Sequence, residues 1–80
     1  MPLVAIPANT WTPVVTTSGD TLVQNMDSHC SIYIYVGSTS GINFDAGILL
    51  PPMAAITFST GKSISAASVN RSSVVMYLAV

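Results

Sequence analysis

Residues 31–36 have the sequence Ser31-Ile32-Tyr33-Ile34-Tyr35-Val36. Aliphatic side chains at every second position, with tyrosines between them, are typical of a β-strand that has one face against a core. We therefore predict that the aliphatic face of this strand is buried and that Tyr33 and Tyr35 lie on the opposite face.

The rest of the chain repeats this pattern in short segments. Val, Ile and Thr are frequent, and Gly, Pro, Asn or Asp interrupts them at short intervals, which is typical of all-β proteins. We predict one domain over residues 1–80, an all-β fold in the form of a small antiparallel β-sandwich or jelly-roll-like barrel. Residues 1–10 can extend from it as an N-terminal arm. The predicted strands, about eight in number, are 3–6, 12–17, 21–26, 31–36, 47–50, 54–59, 63–68 and 72–80.

Three local features refine this scheme. Ser18-Gly19-Asp20 has the composition of a tight turn, so we expect 12–17 and 21–26 to form a hairpin. Residues 37–47 are polar and glycine-spaced, and we expect Ile42 and Phe44 to anchor them as a long loop. Trp11 is expected to close one end of the sandwich.

The C-terminal segment is apolar on both faces. One face carries Val74, Met76, Leu78 and Val80, and we assign it to the core. The full predicted core consists of Val23, Ile32, Ile34, Val36, Ile56, Phe58, Ile64, Val74, Met76 and Leu78.

The second face of that segment suggests self-association. A chain of 80 residues has little buried area to offset conformational entropy, and its single cysteine excludes an intrachain disulfide. Only 6% of the residues are charged, and charged residues are depleted in interface cores. We therefore expect a homo-oligomer whose interface uses Val75, Tyr77 and Ala79, with Tyr33 and Tyr35 contributing.

Composition also argues against several functions. The formal net charge of −1 offers no basic surface for nucleic acid, and no apolar run reaches the ~20 residues of a spanning helix. Asp27-Ser28-His29-Cys30 is the densest group of reactive side chains, but strand-like alternation would divide it between two faces. We expect a polar turn with a half-buried Cys30, and we assign no catalytic, metal-binding or cofactor-binding residues.

Six segments form a recognisable layout when they are taken in chain order: Trp11-Thr12, Leu22-Val23-Gln24-Asn25, Ile32 to Gly37, Gly47 to Pro51, Ile56-Thr57-Phe58, and the Ser-rich run into Val74 to Val80. This layout resembles the small structural proteins of tailed bacteriophage virions. In that layout a tryptophan opens the fold, a Gln-Asn turn precedes an Ile/Val-Tyr strand that ends in Gly, and a Gly-x-x-Leu-x-Pro segment precedes an Ile-Thr-Phe strand. The double proline Pro51-Pro52 and the very small number of charges depart from it.

The resemblance implies a non-enzymatic virion subunit that decorates or cements a capsid, or belongs to a head fibre or tail attachment. Its partners would be copies of itself and phage coat protein, in a virion assembled in the bacterial cytoplasm. The alternative is a host-receptor or glycan-binding module that uses the 37–47 loop with Tyr33 and Tyr35. An enzyme is the third hypothesis, and it would require His29 to face Asp20 or Asp45 in a cleft.

Overall fold

A computed structural model describes residues 2–79 of the chain. The elements are eight β-strands and one short 3₁₀ turn, so the all-β prediction is confirmed. The strands are β1 (Leu3–Ile6), β2 (Thr12–Thr16), β3 (Thr21–Asn25), β4 (Ile32–Val36), β5 (Ile48–Leu50), β6 (Ala55–Phe58), β7 (Ser63–Ala67) and β8 (Ser73–Ala79), and the 3₁₀ turn is Phe44–Ala46.

The strands form two four-stranded antiparallel sheets. Sheet A has the order β1-β8-β3-β6, and sheet B has the order β2-β7-β4-β5. This is the strand order of a jelly roll, a sandwich built from two Greek keys. Strands pair β1 with β8, β2 with β7, β3 with β6 and β4 with β5, so the chain is one long hairpin rolled into two layers. The tip of that hairpin is the 37–47 loop.

The prediction that β2 and β3 form a hairpin is wrong, because these strands belong to opposite sheets. Thr17, which follows β2, pairs instead with the connection between β6 and β7. Its hydroxyl donates to the Ser59 carbonyl at 2.8 Å and accepts from the Lys62 N–H at 2.7 Å, and its carbonyl accepts from the Gly61 N–H. The Ser18-Gly19-Asp20 turn therefore lies in an arch that crosses from sheet B to sheet A.

Most of the predicted core is confirmed. Val23, Ile32, Ile34 and Ile64 are at most 1% exposed in the central cluster, and Ile56 and Phe58 pack against it partly buried. Met76 is only 5% exposed, but it lies on the outer face of sheet A beside Leu3 and is not part of the central cluster. The predictions for Val36, Val74 and Leu78 are wrong, since their side chains are 37%, 37% and 41% exposed.

The two wrong predictions in β8 have one cause: the face predicted to be buried is the outer face of the strand, and the face predicted to be exposed is the inner one. Val75 pairs with Asn25, and Tyr77 pairs with Val23, so both point inward with residues that are fully buried. Directly paired residues share a face of an antiparallel sheet, which places Val74, Met76 and Leu78 outward. Because both faces of β8 are apolar, its own alternation could not decide between them.

The N-terminal segment contributes β1, which pairs with β8 from Leu3↔Met76 to Ile6↔Ser73. Ile6 is fully buried in the core between the sheets. Residues 3–6 are thus an edge strand of sheet A, and a further bridge joins Ala8 to Ser68.

Candidate functional site

Asp27 organises the group of reactive side chains at residues 27–30. One carboxylate oxygen accepts hydrogen bonds from the backbone N–H groups of His29 and Cys30, at 2.8 and 3.0 Å. This is the local bonding by which aspartate stabilises a turn. The Ser28 hydroxyl lies 2.7 Å from Nδ1 of His29, and both side chains are exposed. The expected polar turn with a half-buried Cys30 is confirmed.

The second oxygen of Asp27 connects this turn to the start of β8. It accepts from the Ser73 hydroxyl at 3.2 Å and lies 3.6 Å from the Arg71 guanidinium, which also donates to the Cys30 sulfur. The backbone N–H donors of His29 and Cys30 hold the pKa of Asp27 below its ordinary value; partial burial opposes them, and Arg71 and Ser73 add to the lowering. The ionised Asp27 carboxylate therefore connects the turn at residues 27–30 to the start of β8.

Asn25 is a buried polar residue whose role the sequence did not reveal. Its side-chain amide donates to the carbonyls of Cys30, Leu50 and Pro51 at 2.8, 3.1 and 3.2 Å. Its oxygen accepts from the Asp27 N–H at 2.9 Å. Because Asn25 ends a strand of sheet A and Leu50 ends a strand of sheet B, this amide joins the two sheets. The apolar alternation of β3 was the only signal that its position faces inward.

The residues predicted for a subunit interface do not share one surface. Tyr33 and Tyr35 are half-buried on the outer face of sheet B, as expected. Val75 is fully buried, and Tyr77 packs against the core. Ala79 is exposed at the end of β8. Val75 and Tyr77 are thus already covered by the chain itself, and replacing Tyr77 would test folding rather than association.

An aromatic cluster covers part of the outer face of sheet B. Trp11 packs against Tyr35 and Phe44, with ring centroids 5.8 and 5.6 Å apart, and its indole N–H donates to the Ile42 carbonyl at 2.9 Å. Gly47 permits this approach, since a Cβ there would lie 2.9 Å from the Ile34 carbonyl oxygen and 3.1 Å from the indole. Trp11 therefore anchors the 37–47 loop instead of closing an end of the sandwich.

The outer face of sheet A is largely apolar, although the polar Gln24 lies beside Met76, and Met76 itself is only 5% exposed. By register, Leu3 lies beside Met76, Ala5 beside Val74, and Leu22 beside Leu78. Leu3 is 62% exposed and Leu78 41%. All five charged residues of the chain lie outside the eight strands, so none interrupts this surface. We call Leu3, Ala5, Leu22, Val74, Met76 and Leu78 the apolar face.

Within residues 2–79, no three His, Cys, Asp or Glu side chains come close enough together to hold a metal ion. The same part of the chain contains no helix of the length and hydropathy needed to cross a membrane. Comparison with protein-family models, with curated proteins and with solved structures finds no match to this chain.

Proposed function

We propose that this protein is a non-enzymatic structural subunit that functions by binding other protein subunits through the apolar face. The observation that carries the proposal is the exposure of Leu3, Val74 and Leu78 on one uncharged sheet surface. Monomeric proteins rarely expose contiguous apolar patches of more than a few hundred Å². A surface of this kind is stabilised when a partner removes it from water.

The lack of charge on the apolar face favours a second copy of the chain as its partner. The face extends over three adjacent strands of sheet A, β1, β8 and β3. A face without charge presents nothing that repels its own copy. Pairing by a two-fold axis uses the same patch on both subunits and closes the assembly.

We further propose that this subunit belongs to a tailed bacteriophage virion, where it decorates the capsid or attaches to it within a fibre. Two features support this step. The order of segments from Trp11 to the C-terminal strand resembles that of small virion proteins, and the jelly roll is a fold from which viral capsid domains are built. A folded subunit that binds only the assembled shell stabilises that shell by mass action.

The virion assignment is tested by pelleting. Purified protein is mixed with isolated heads, or with isolated tails, of a panel of tailed phages, and the particles are sedimented. We expect the protein to pellet with one class of particle and to saturate at a fixed number of copies per particle. Recovery of all the protein in the supernatant with every particle would contradict the virion assignment.

A further inference from the structure

A hydroxyl-lined groove crosses the outer face of sheet B, away from the apolar face. Its floor is β7, where Ser63 and Ser65 point outward; β2 forms one wall and the start of the 37–47 loop forms the other. The cavity has a volume of about 560 Å³, within the range of small-ligand sites. Its hydroxyl groups come from Thr16, Ser38, Thr39, Ser40, Ser63 and Ser65.

Ser65 is the residue that indicates a ligand. Its side chain is only 8% exposed, yet it lines the groove between Pro13 and Tyr35, its partners on the neighbouring strands. None of the six hydroxyl groups hydrogen-bonds to another group in the described part of the chain. In the described part of the chain the fully enclosed side-chain polar atom without a partner is Ser68 Oγ, so the unpaired Ser65 hydroxyl is open to the groove and offers a donor and an acceptor to a molecule there.

The lining defines the chemistry of that molecule. No charged residue lines the groove, so nothing in it offers an ion pair to a phosphate or carboxylate. A hydroxyl both donates and accepts, which suits a ligand that is itself rich in hydroxyl groups. Tyr35 does not line the groove, but its ring lies next to it, 3.9 Å from the position of a Cβ at the lining residue Gly37.

The edge strand beside the groove is poorly suited to a peptide. Addition of a peptide strand needs a regular row of free backbone groups, and proline and bulges are the usual protection of an edge against it. β2 carries Pro13, and its register with β7 shifts between Pro13 and Val15. Recognition by side-chain hydroxyls is therefore favoured over strand addition.

We propose that this groove is a binding site for a neutral saccharide, held by Ser63, Ser65 and the 38–40 loop. The site does not depend on self-association or on a virion location, because it lies on the opposite sheet from the apolar face. Gly37, which lines the groove, adopts φ of +112°, a conformation that side-chain-bearing residues rarely take.

The test is a titration of the isotopically labelled protein with maltotetraose, cellotetraose and chitotetraose, in which NMR measures the changes in the backbone amide chemical shifts. We expect at least one oligosaccharide to shift the amides of residues 13–16, 37–40 and 63–65. Ser65→Ala should weaken that binding by about fivefold to tenfold, the loss of one hydrogen bond. The matched change Ser72→Ala, at an exposed serine outside the groove, should leave the affinity unchanged.

A folding defect is separated from a binding defect by the spectrum itself, since a folded Ser65→Ala chain keeps the dispersed amide signals of the wild type. Ser63→Tyr provides a second test of the site, because the larger side chain would fill the floor of the groove and abolish the chemical-shift changes caused by the oligosaccharide. The absence of shifts with all three oligosaccharides would overturn the proposal. Shifts that map to another surface, or equal binding by Ser65→Ala and wild type, would overturn it as well.

Discussion

At the residue scale, Asn25 is a fully buried polar side chain that joins the two sheets. Its amide donates to the carbonyl of Cys30, which precedes β4, and to those of Leu50 and Pro51 at and after the end of β5, and its oxygen accepts from the Asp27 N–H. A buried carbonyl that loses its donor costs about 1–3 kcal/mol. One fully buried side chain at the end of a sheet A strand thus satisfies the carbonyl of Leu50 in sheet B and three backbone groups of the neighbouring loops.

Asn25→Asp retains the shape of this side chain but replaces its donors with an acceptor that faces three carbonyl oxygens. We expect the free energy of unfolding to fall by about 3 kcal/mol or more at pH 7, since an uncompensated buried charge costs 3–5 kcal/mol. Urea unfolding followed by Trp11 fluorescence measures it. Asn43→Asp makes the same change at an exposed residue without a side-chain cap bond, and it should have little effect. Equal unfolding midpoints for the two variants would contradict the role given to Asn25.

At the element scale, β5 and β6 are connected by a turn that contains a non-glycine residue, Met53, with a positive φ. The Ala54 N–H donates to the Pro51 carbonyl at 3.1 Å, and Met53 adopts φ of +62°. Proline at the second position fixes a negative φ, so a positive φ at the third makes this a type II turn, which prefers glycine there. Met53 is 47% exposed, and its side chain gains little burial in return.

Met53→Gly should therefore stabilise the protein. The left-handed conformation costs an L-residue about 1–2 kcal/mol, and the extra entropy of glycine in the unfolded chain offsets about 0.4–1 kcal/mol of the gain. We expect a net increase of about 0.5–1 kcal/mol in the free energy of unfolding, measured by urea titration. Ala46→Gly, at an exposed position without a positive φ, should decrease it. A loss of stability in Met53→Gly would show that the turn is not strained.

At the scale of the whole molecule, the local part of the fold was predictable and the non-local part was not. Strand positions follow from alternation and turn residues, because both act within a few positions of the chain. The sheet to which each strand belongs depends on distant partners, which is why a turn at Ser18-Gly19-Asp20 predicted a hairpin where the structure has an arch. The prediction assigned the two faces of β8 the wrong way round for the same reason, because only the pairing of β8 with β3 reveals that Val75 points inward.

The candidate sites show the same division. The polar turn at Asp27 could be predicted from four consecutive residues, and the anchoring role of Phe44 from its being an apolar residue in a polar loop. The hydroxyl-lined groove and the apolar face are assembled from separate strands, and their residues are unremarkable until the register places them side by side. Self-association was expected from the low charge of the chain, and the structure moves the surface proposed for it from Val75 and Tyr77 to Val74 and Leu78.

The proposed function depends most on whether the apolar face binds other subunits, and sedimentation equilibrium on two aspartate variants tests this directly. Leu78→Asp places a charge on the apolar face, whereas Leu49→Asp places one on the outer face of sheet B at a leucine that is 54% exposed. We predict that the wild type and Leu49→Asp form a closed oligomer at tens of micromolar, and that Leu78→Asp weakens it at least about 30-fold, the equivalent of about 2 kcal/mol at an interface hot spot. A monomeric wild type, or a Leu78→Asp variant that assembles as the wild type does, would contradict the account.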